Sequence, residues 1–184
     1  MIRLFTAIEI PEDVRDLLLD LQSGLPGATW SPWDNLHLTL RFIGEVPEPQ
    51  VDEIEEALWR IEAESFVLQL KGVDRFGGEG PRSPPRLVFA GVEHDATLTR
   101  LQSKIEQALQ GLGFEAERRK YHPHVTLARL KDTPVGRLGN YLTEHAMFSS
   151  PAFAVKEFTL FSSTLGNEHS VYDALSSFAL RPRD

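Results

Sequence analysis

The sequence predicts an α+β fold: a bilobal, pseudo-twofold arrangement of two mainly antiparallel sheets flanked by helices, with an active-site cleft between them. Three observations carry this expectation. The segments read in the order strand, helix, strand, helix, strand, strand, helix, strand, then further strands. The stretch from Leu4 to Val46 repeats in plan from Leu87 to Leu130: strand, helix, loop, and a strand bearing His and Thr two residues apart. A length of 184 residues suits one bilobal domain over residues 1–184 with a real core.

The elements follow from patterning. Leu4 to Ile10 is a short apolar run closed by Pro11, and reads as a strand. Pro11-Glu12-Asp13 opens a helix, because proline suits a first turn and acids suit its positive end. Val14, Leu17, Leu18 and Leu21 recur at helical spacing until Gly24-Leu25-Pro26-Gly27 stops them. A strand then runs from Leu36 through Ile43 to Gly44. Pro47-Glu48-Pro49 opens a second helix with Val51, Ile54, Leu58 and Ile61 inward and an acidic, solvated outer face. Strands are expected over Phe66 to Val73 and Leu87 to Val92, separated by a turn-rich connector from Phe76 to Pro85. That connector lacks the Gly-Lys-Ser/Thr ending of a nucleotide-binding loop. Leu98, Leu101, Ile105 and Leu109 mark a third helix, and Arg137 to Leu142 a fourth. Phe153 to Ser163 and Val171 to Leu180 form a hairpin turning at Gly166-Asn167.

Two short strands carry the chemistry. In Leu36-His37-Leu38-Thr39-Leu40 the leucines share one face with Phe42, and His37 and Thr39 share the other. The pattern returns at His124-Val125-Thr126-Leu127. Histidine titrates near neutrality, so one ring of a facing pair can accept a proton while the other donates one. In-line attack on phosphorus needs a base on the entering side and an acid on the leaving side. The hydroxyls of Thr39 and Thr126 would donate to the non-bridging oxygens as charge grows there. Nothing in this scheme calls for a metal or other cofactor. A zinc site is the competing reading, with His122, on the face of His124, as a third ligand. A serine triad has no supporting GxSxG motif.

Composition narrows the classes. Hydrophobic residues are 41% and charged residues 25% of the chain, an ordinary soluble balance. The absence of cysteine removes disulfides, thiolate metal sites and a cysteine nucleophile, and fits the cytoplasm. No signal-peptide core or membrane-length apolar run is present. A net charge of −8 argues against a wholesale nucleic-acid coat, so any such contact is local. No long uncharged apolar surface stands out, and a monomer is expected.

The paired motifs His37-Leu38-Thr39-Leu40 and His124-Val125-Thr126-Leu127 resemble the HxTx signature of the 2H phosphoesterase superfamily. Within it the chain looks most like the RNA 2′,3′-cyclic phosphodiesterase, or 2′-5′ RNA ligase-like (LigT-like), family. Arg3 to Pro11, Asn35 to Val46, Tyr121 to Arg129, and Phe161-Ser162-Ser163 with Tyr172 resemble its opening strand, two motif blocks and C-terminal hairpin. The resemblance implies hydrolysis of a 2′,3′-cyclic phosphate on an RNA end or a nucleoside to a 2′-phosphate, with reversible 2′-5′ ligation as a second activity. It implies His37 as the acid that protonates the departing 3′-oxygen and His124 as the base that activates water. A nucleotide-binding module without catalysis, or a phosphodiesterase for another cyclic or 2′-5′-linked nucleotide, are the alternatives.

Further substrate-binding candidates follow from position. Arg41 falls on the His37/Thr39 face, whereas strict alternation sets Arg129 opposite His124 unless the strand is bulged. His122 belongs to the second motif block. Arg118-Arg119-Lys120 reads either as an RNA-backbone guide or as a solvated turn. Tyr172, Trp30 and Trp33 are candidates to stack on a base, or else core and loop anchors.

Overall fold

A computed structural model describes residues 1–184. In chain order the elements are β1 (Ile2–Glu9), α1 (Glu12–Leu19), β2 (Ala28–Trp30), a 3-10 turn (Trp33–Asn35), β3 (His37–Val46), α2 (Pro49–Trp59), β4 (Phe66–Leu68), β5 (Leu70–Phe76), β6 (Leu87–Val92), α3 (Ala96–Gly111), β7 (His124–Leu130), α4 (Val135–Glu144), β8 (Phe153–Val155), β9 (Glu157–Leu165) and β10 (Ser170–Ala179). One four-stranded sheet has the order β10-β9-β1-β3 and the other β2-β7-β6-β5. All their pairings are antiparallel. β3 and β7 hold corresponding places, each beside the strand that opens its half. The fold is α+β and bilobal, as the repeat predicts.

Helices form where the apolar stripe and the ends agree. α3 is capped by Asp95, whose carboxylate accepts from the backbone N–H groups of Thr97 (2.8 Å) and Leu98 (3.0 Å). Its Leu98, Leu101, Ile105 and Leu109 are buried. These join one cluster of 35 buried residues that draws on both sheets, including Leu4, Leu38 and Leu40 from the first and Val88, Val125 and Leu127 from the second. No helix is long and apolar enough to cross a membrane.

Two features depart from the sequence reading. The stretch Ala28–Trp30, where the sequence reading places no strand, is one that crosses to pair with Ala128–Leu130 of the other sheet. Gly27 permits the approach: its φ is +78°, and a Cβ there would lie 2.1 Å from the Lys131 carbonyl. The segment read as one strand from Phe66 to Val73 is two, because β4 leaves to form a small sheet with β8.

The decisive irregularity lies within the motif strands. On β3, Thr6 pairs with Arg41 and Ala7 with Thr39, so Leu40 is an extra residue. On β7, Val88 pairs with Ala128 and Phe89 with Thr126, so Leu127 is extra. Both bulges fall immediately after the motif threonine, and each inverts the alternation beyond it.

Candidate active site

His37, Thr39 and Phe42 from the first sheet and His124, Thr126 and Arg129 from the second line one cavity of about 520 Å³. The bulges explain the last member of each set. Beyond Leu127 the inverted alternation returns Arg129 to the face of His124, where it lines the cavity. Beyond Leu40 the same inversion brings Phe42 to the cleft, 64% exposed, instead of into the core. Arg41, expected on the His37/Thr39 face, does not line this cavity but an adjoining groove that Thr39 and His124 also line. Its Nε donates to Glu106 of α3 at 2.5 Å, its Nη2 to the Glu115 carbonyl at 2.7 Å, and its Nη1 to the Phe42 carbonyl.

The two imidazoles are held alike. His37 Nδ1 lies 2.7 Å from the Asn35 carbonyl, and His124 Nδ1 lies 2.7 Å from the His122 carbonyl. A carbonyl only accepts, so Nδ1 carries the proton in both rings and Nε2 is left for chemistry. The Thr39 hydroxyl is 3.0 Å from His37 Nε2 and donates to it while that ring is neutral. Asn35 also donates from its carboxamide to the Ser170 carbonyl at 2.8 Å, which fastens the start of β10 beside His37.

Each ring rests on two phenylalanines from neighbouring strands. His37 has Phe5 at 5.0 Å and Phe161 at 6.4 Å between centroids, with Tyr172 edge-on at 5.2 Å. His124 has Phe76 at 5.1 Å and Phe89 at 5.2 Å. This burial dominates the electrostatics. It pushes the pKa of His37 from 6.5 down to about 4, against the hydrogen bond to Asn35, with the positive charges of Arg15 and His124 adding to the fall. Burial lowers His124 as well, again opposed by its carbonyl bond and reinforced by His122. Burial raises the phenol of Tyr172, with Arg129 pulling the other way.

Among the remaining expected residues, Tyr172 lines the cavity. His122 does not; its ring packs against Phe76 and Phe89, each at 5.3 Å, over an adjoining groove. Trp33 and Trp30 are anchors: the Trp33 indole donates to Asp16 under the Arg15 guanidinium, and Trp30 packs on Tyr141. No three His, Cys, Asp or Glu side chains gather at metal-ligand spacing. Sequence reading passed over Asn35 and the β9–β10 tip, where Leu165, Glu168, His169 and Ser170 close one end of the cavity. Only the tertiary fold brings that tip to the motifs. A second hollow of similar size, near the C-terminus, is lined by ion-paired Glu62 and Arg181 and holds no imidazole.

An α+β chain with two imidazole–hydroxyl pairs from corresponding strands of its two lobes, converging on one cleft, has the build of a two-histidine phosphoesterase. Residues 8–86 and 91–172 match the LigT like Phosphoesterase family. The chain belongs to that family. It is 35% identical over 179 residues, 94% of this chain and 92% of the other, to an RNA 2′,3′-cyclic phosphodiesterase of Thermotoga maritima. A protein of the same description from Aeropyrum pernix is 46% identical over 100 residues, 53% of this chain and 54% of that protein. Among solved structures, E. coli LigT complexed with 3′-AMP superposes with a TM-score of 0.79 at 27% identity, covering 97% of this chain and 98% of that one.

Proposed function

We propose that this chain hydrolyses 2′,3′-cyclic phosphates at RNA ends to 2′-phosphates without a metal, and joins RNA reversibly through 2′-5′ bonds as a second activity. The observation that carries the reading is the matched pair of imidazoles, each with Nδ1 tied to a backbone carbonyl and both lining one cavity. The names of relatives that align along nearly the whole chain support it.

In this scheme His124 Nε2 takes a proton from water as the water oxygen bonds to phosphorus. The bond from phosphorus to the 3′-oxygen breaks, and His37 Nε2 gives its proton to that oxygen, leaving a 2′-phosphate and a free 3′-hydroxyl. Burial keeps His37 neutral in the free cleft at pH 7. The negative charge of the bound phosphate favours its protonation. A protonated Nε2 needs an acceptor, so the Thr39 hydroxyl is released from the ring and can donate to a phosphate oxygen, as Thr126 does opposite. Arg129 supplies the positive charge and Tyr172 an aromatic wall for the nucleoside.

The test is turnover of a nucleoside 2′,3′-cyclic phosphate with and without EDTA, with the product isomer identified. The expected result is a 2′-phosphate formed at equal rates in both. Replacing His37 or His124 with Ala should lower kcat about 10²–10⁴-fold at unchanged far-UV circular dichroism. A His37→Ala protein with near-parental turnover would refute the acid–base assignment.

A further inference from the structure

The His124 imidazole borders two hollows, whereas His37 lines only the first. Thr39, Phe42 and His124 line the cleft, and the same three residues also line a second groove of about 440 Å³. The exposed Phe42 ring therefore stands where the two hollows meet. The wall of the second groove collects Arg86, from just before β6, and Arg119 and Lys120, from just before β7. All three are exposed, and none is ion-paired. Arg41 on the same wall is neutralised by Glu106, and a single carboxylate, Glu117, lines the groove.

Chain-wide electrostatics make this arrangement stand out. The protein carries a net charge of −8, yet three cations outside any ion pair, from two separate segments, line a groove that Thr39 and His124 also line. Arg118, their neighbour in sequence, lines a different hollow. A merely solvated turn would explain Arg119 and Lys120 but not the convergence of Arg86 from another loop. Cations beside exposed aromatic faces, along a groove continuous with the site, suit a single-stranded sugar-phosphate backbone.

We infer that this second groove holds the backbone phosphates next to the reacting nucleotide, so that the substrate is an oligonucleotide end in preference to a free mononucleotide. The inference rests on the phosphodiesterase reading above. It makes the groove an affinity device, distinct from the imidazoles that break the bond.

The experiment compares kcat/KM for a mononucleoside 2′,3′-cyclic phosphate and for a tetraribonucleotide with the same cyclic phosphate terminus, at several salt concentrations. The parent should favour the tetranucleotide at least tenfold at low salt. Three phosphate contacts on a single strand predict a log–log salt slope of about −2 for the tetranucleotide, against a shallow slope for the mononucleotide. The combined variant Arg86→Glu, Arg119→Glu, Lys120→Glu should lose both the preference and the steep slope, with mononucleotide turnover within twofold of the parent. Equal kcat/KM for the two substrates in the parent, or a preference retained by the variant, overturns the groove assignment and leaves the phosphodiesterase reading standing. A parent that turns over neither substrate overturns both. Anisotropy of a labelled tetranucleotide with a 2′-phosphate end gives a second readout: about tenfold weaker binding by the variant is expected, and unchanged binding refutes the assignment.

Discussion

The carbonyl of Asn35 accepts from His37 while its carboxamide donates to Ser170, so one residue sets a reactive ring and fastens the hairpin beside it. Asn35→Ala keeps the backbone carbonyl and removes only the tether. A net neutral hydrogen bond contributes about 0.5–1.5 kcal/mol, so kcat/KM should fall roughly 2- to 10-fold, with the loss in KM and kcat nearly kept. Steady-state kinetics separates this from a general loss of structure, which would lower both. His37 makes a second prediction at this scale. Its folded pKa lies near 4 and its unfolded value near 6.5, so between these the unfolded chain binds the proton that the folded chain refuses. Stability therefore rises with pH across that window and is lost as pH falls from 6.5 toward 4. The effect is on the order of 3 kcal/mol if the shift is fully expressed. Urea midpoints at pH 4.5 and 7 should differ less for His37→Gln than for the parent. An equal difference would show that other groups control the acid limb.

At the scale of elements, the two bulges decide what the cleft contains. Period-two alternation made His37/Thr39 and His124/Thr126 legible, because only backbone geometry is needed to place residues two apart on one face. The same rule fails one step later. The extra residues, Leu40 and Leu127, are ordinary buried leucines that carry no local mark of a bulge. Alternation therefore assigned Arg41 to the cleft and Phe42 to the core; instead Phe42 lines the cleft and Arg41 lies over an adjoining groove, ion-paired to Glu106. The Arg41 side chain instead joins β3 to α3 and to the loop before β7, through Glu106 and Glu115. Glu106 in turn accepts from the Glu117 N–H at 2.9 Å. Arg41→Ala should thus act on stability, by about 1.5–3 kcal/mol, the worth of a hydrogen-bonded charged group. Denaturant unfolding reads that loss; mononucleotide kcat should change less than twofold. A large fall in kcat with unchanged stability would return Arg41 to the site.

Across the whole molecule, the 35-residue buried cluster serves both sheets at once. Unfolding should therefore be one cooperative transition, with far-UV dichroism and tryptophan fluorescence coincident. Leu38 is fully buried beneath the motif face, and Leu38→Ala should cost about 2–5 kcal/mol in the same measurement. Separate transitions would mean that each lobe has its own core. The fold class and the internal repeat were legible because apolar periodicity survives in strands of six or more residues. The crossing of Ala28–Trp30 was not, since three residues are too few to show a period. The β9–β10 hairpin was legible as a hairpin, but the placement of its tip at the cleft end was not, because the link from Asn35 to Ser170 spans 135 positions that only tertiary packing brings together.

Neither imidazole leans on a carboxylate. Each is steadied by a main-chain oxygen two positions upstream, at the same 2.7 Å. No acidic partner therefore commits one ring in advance to giving a proton and the other to receiving it. In the proposed reaction the proton runs the same way whichever nucleophile enters: a water, or a 5′-hydroxyl in its place, gives its proton to one ring while the departing 3′-oxygen takes one from the other.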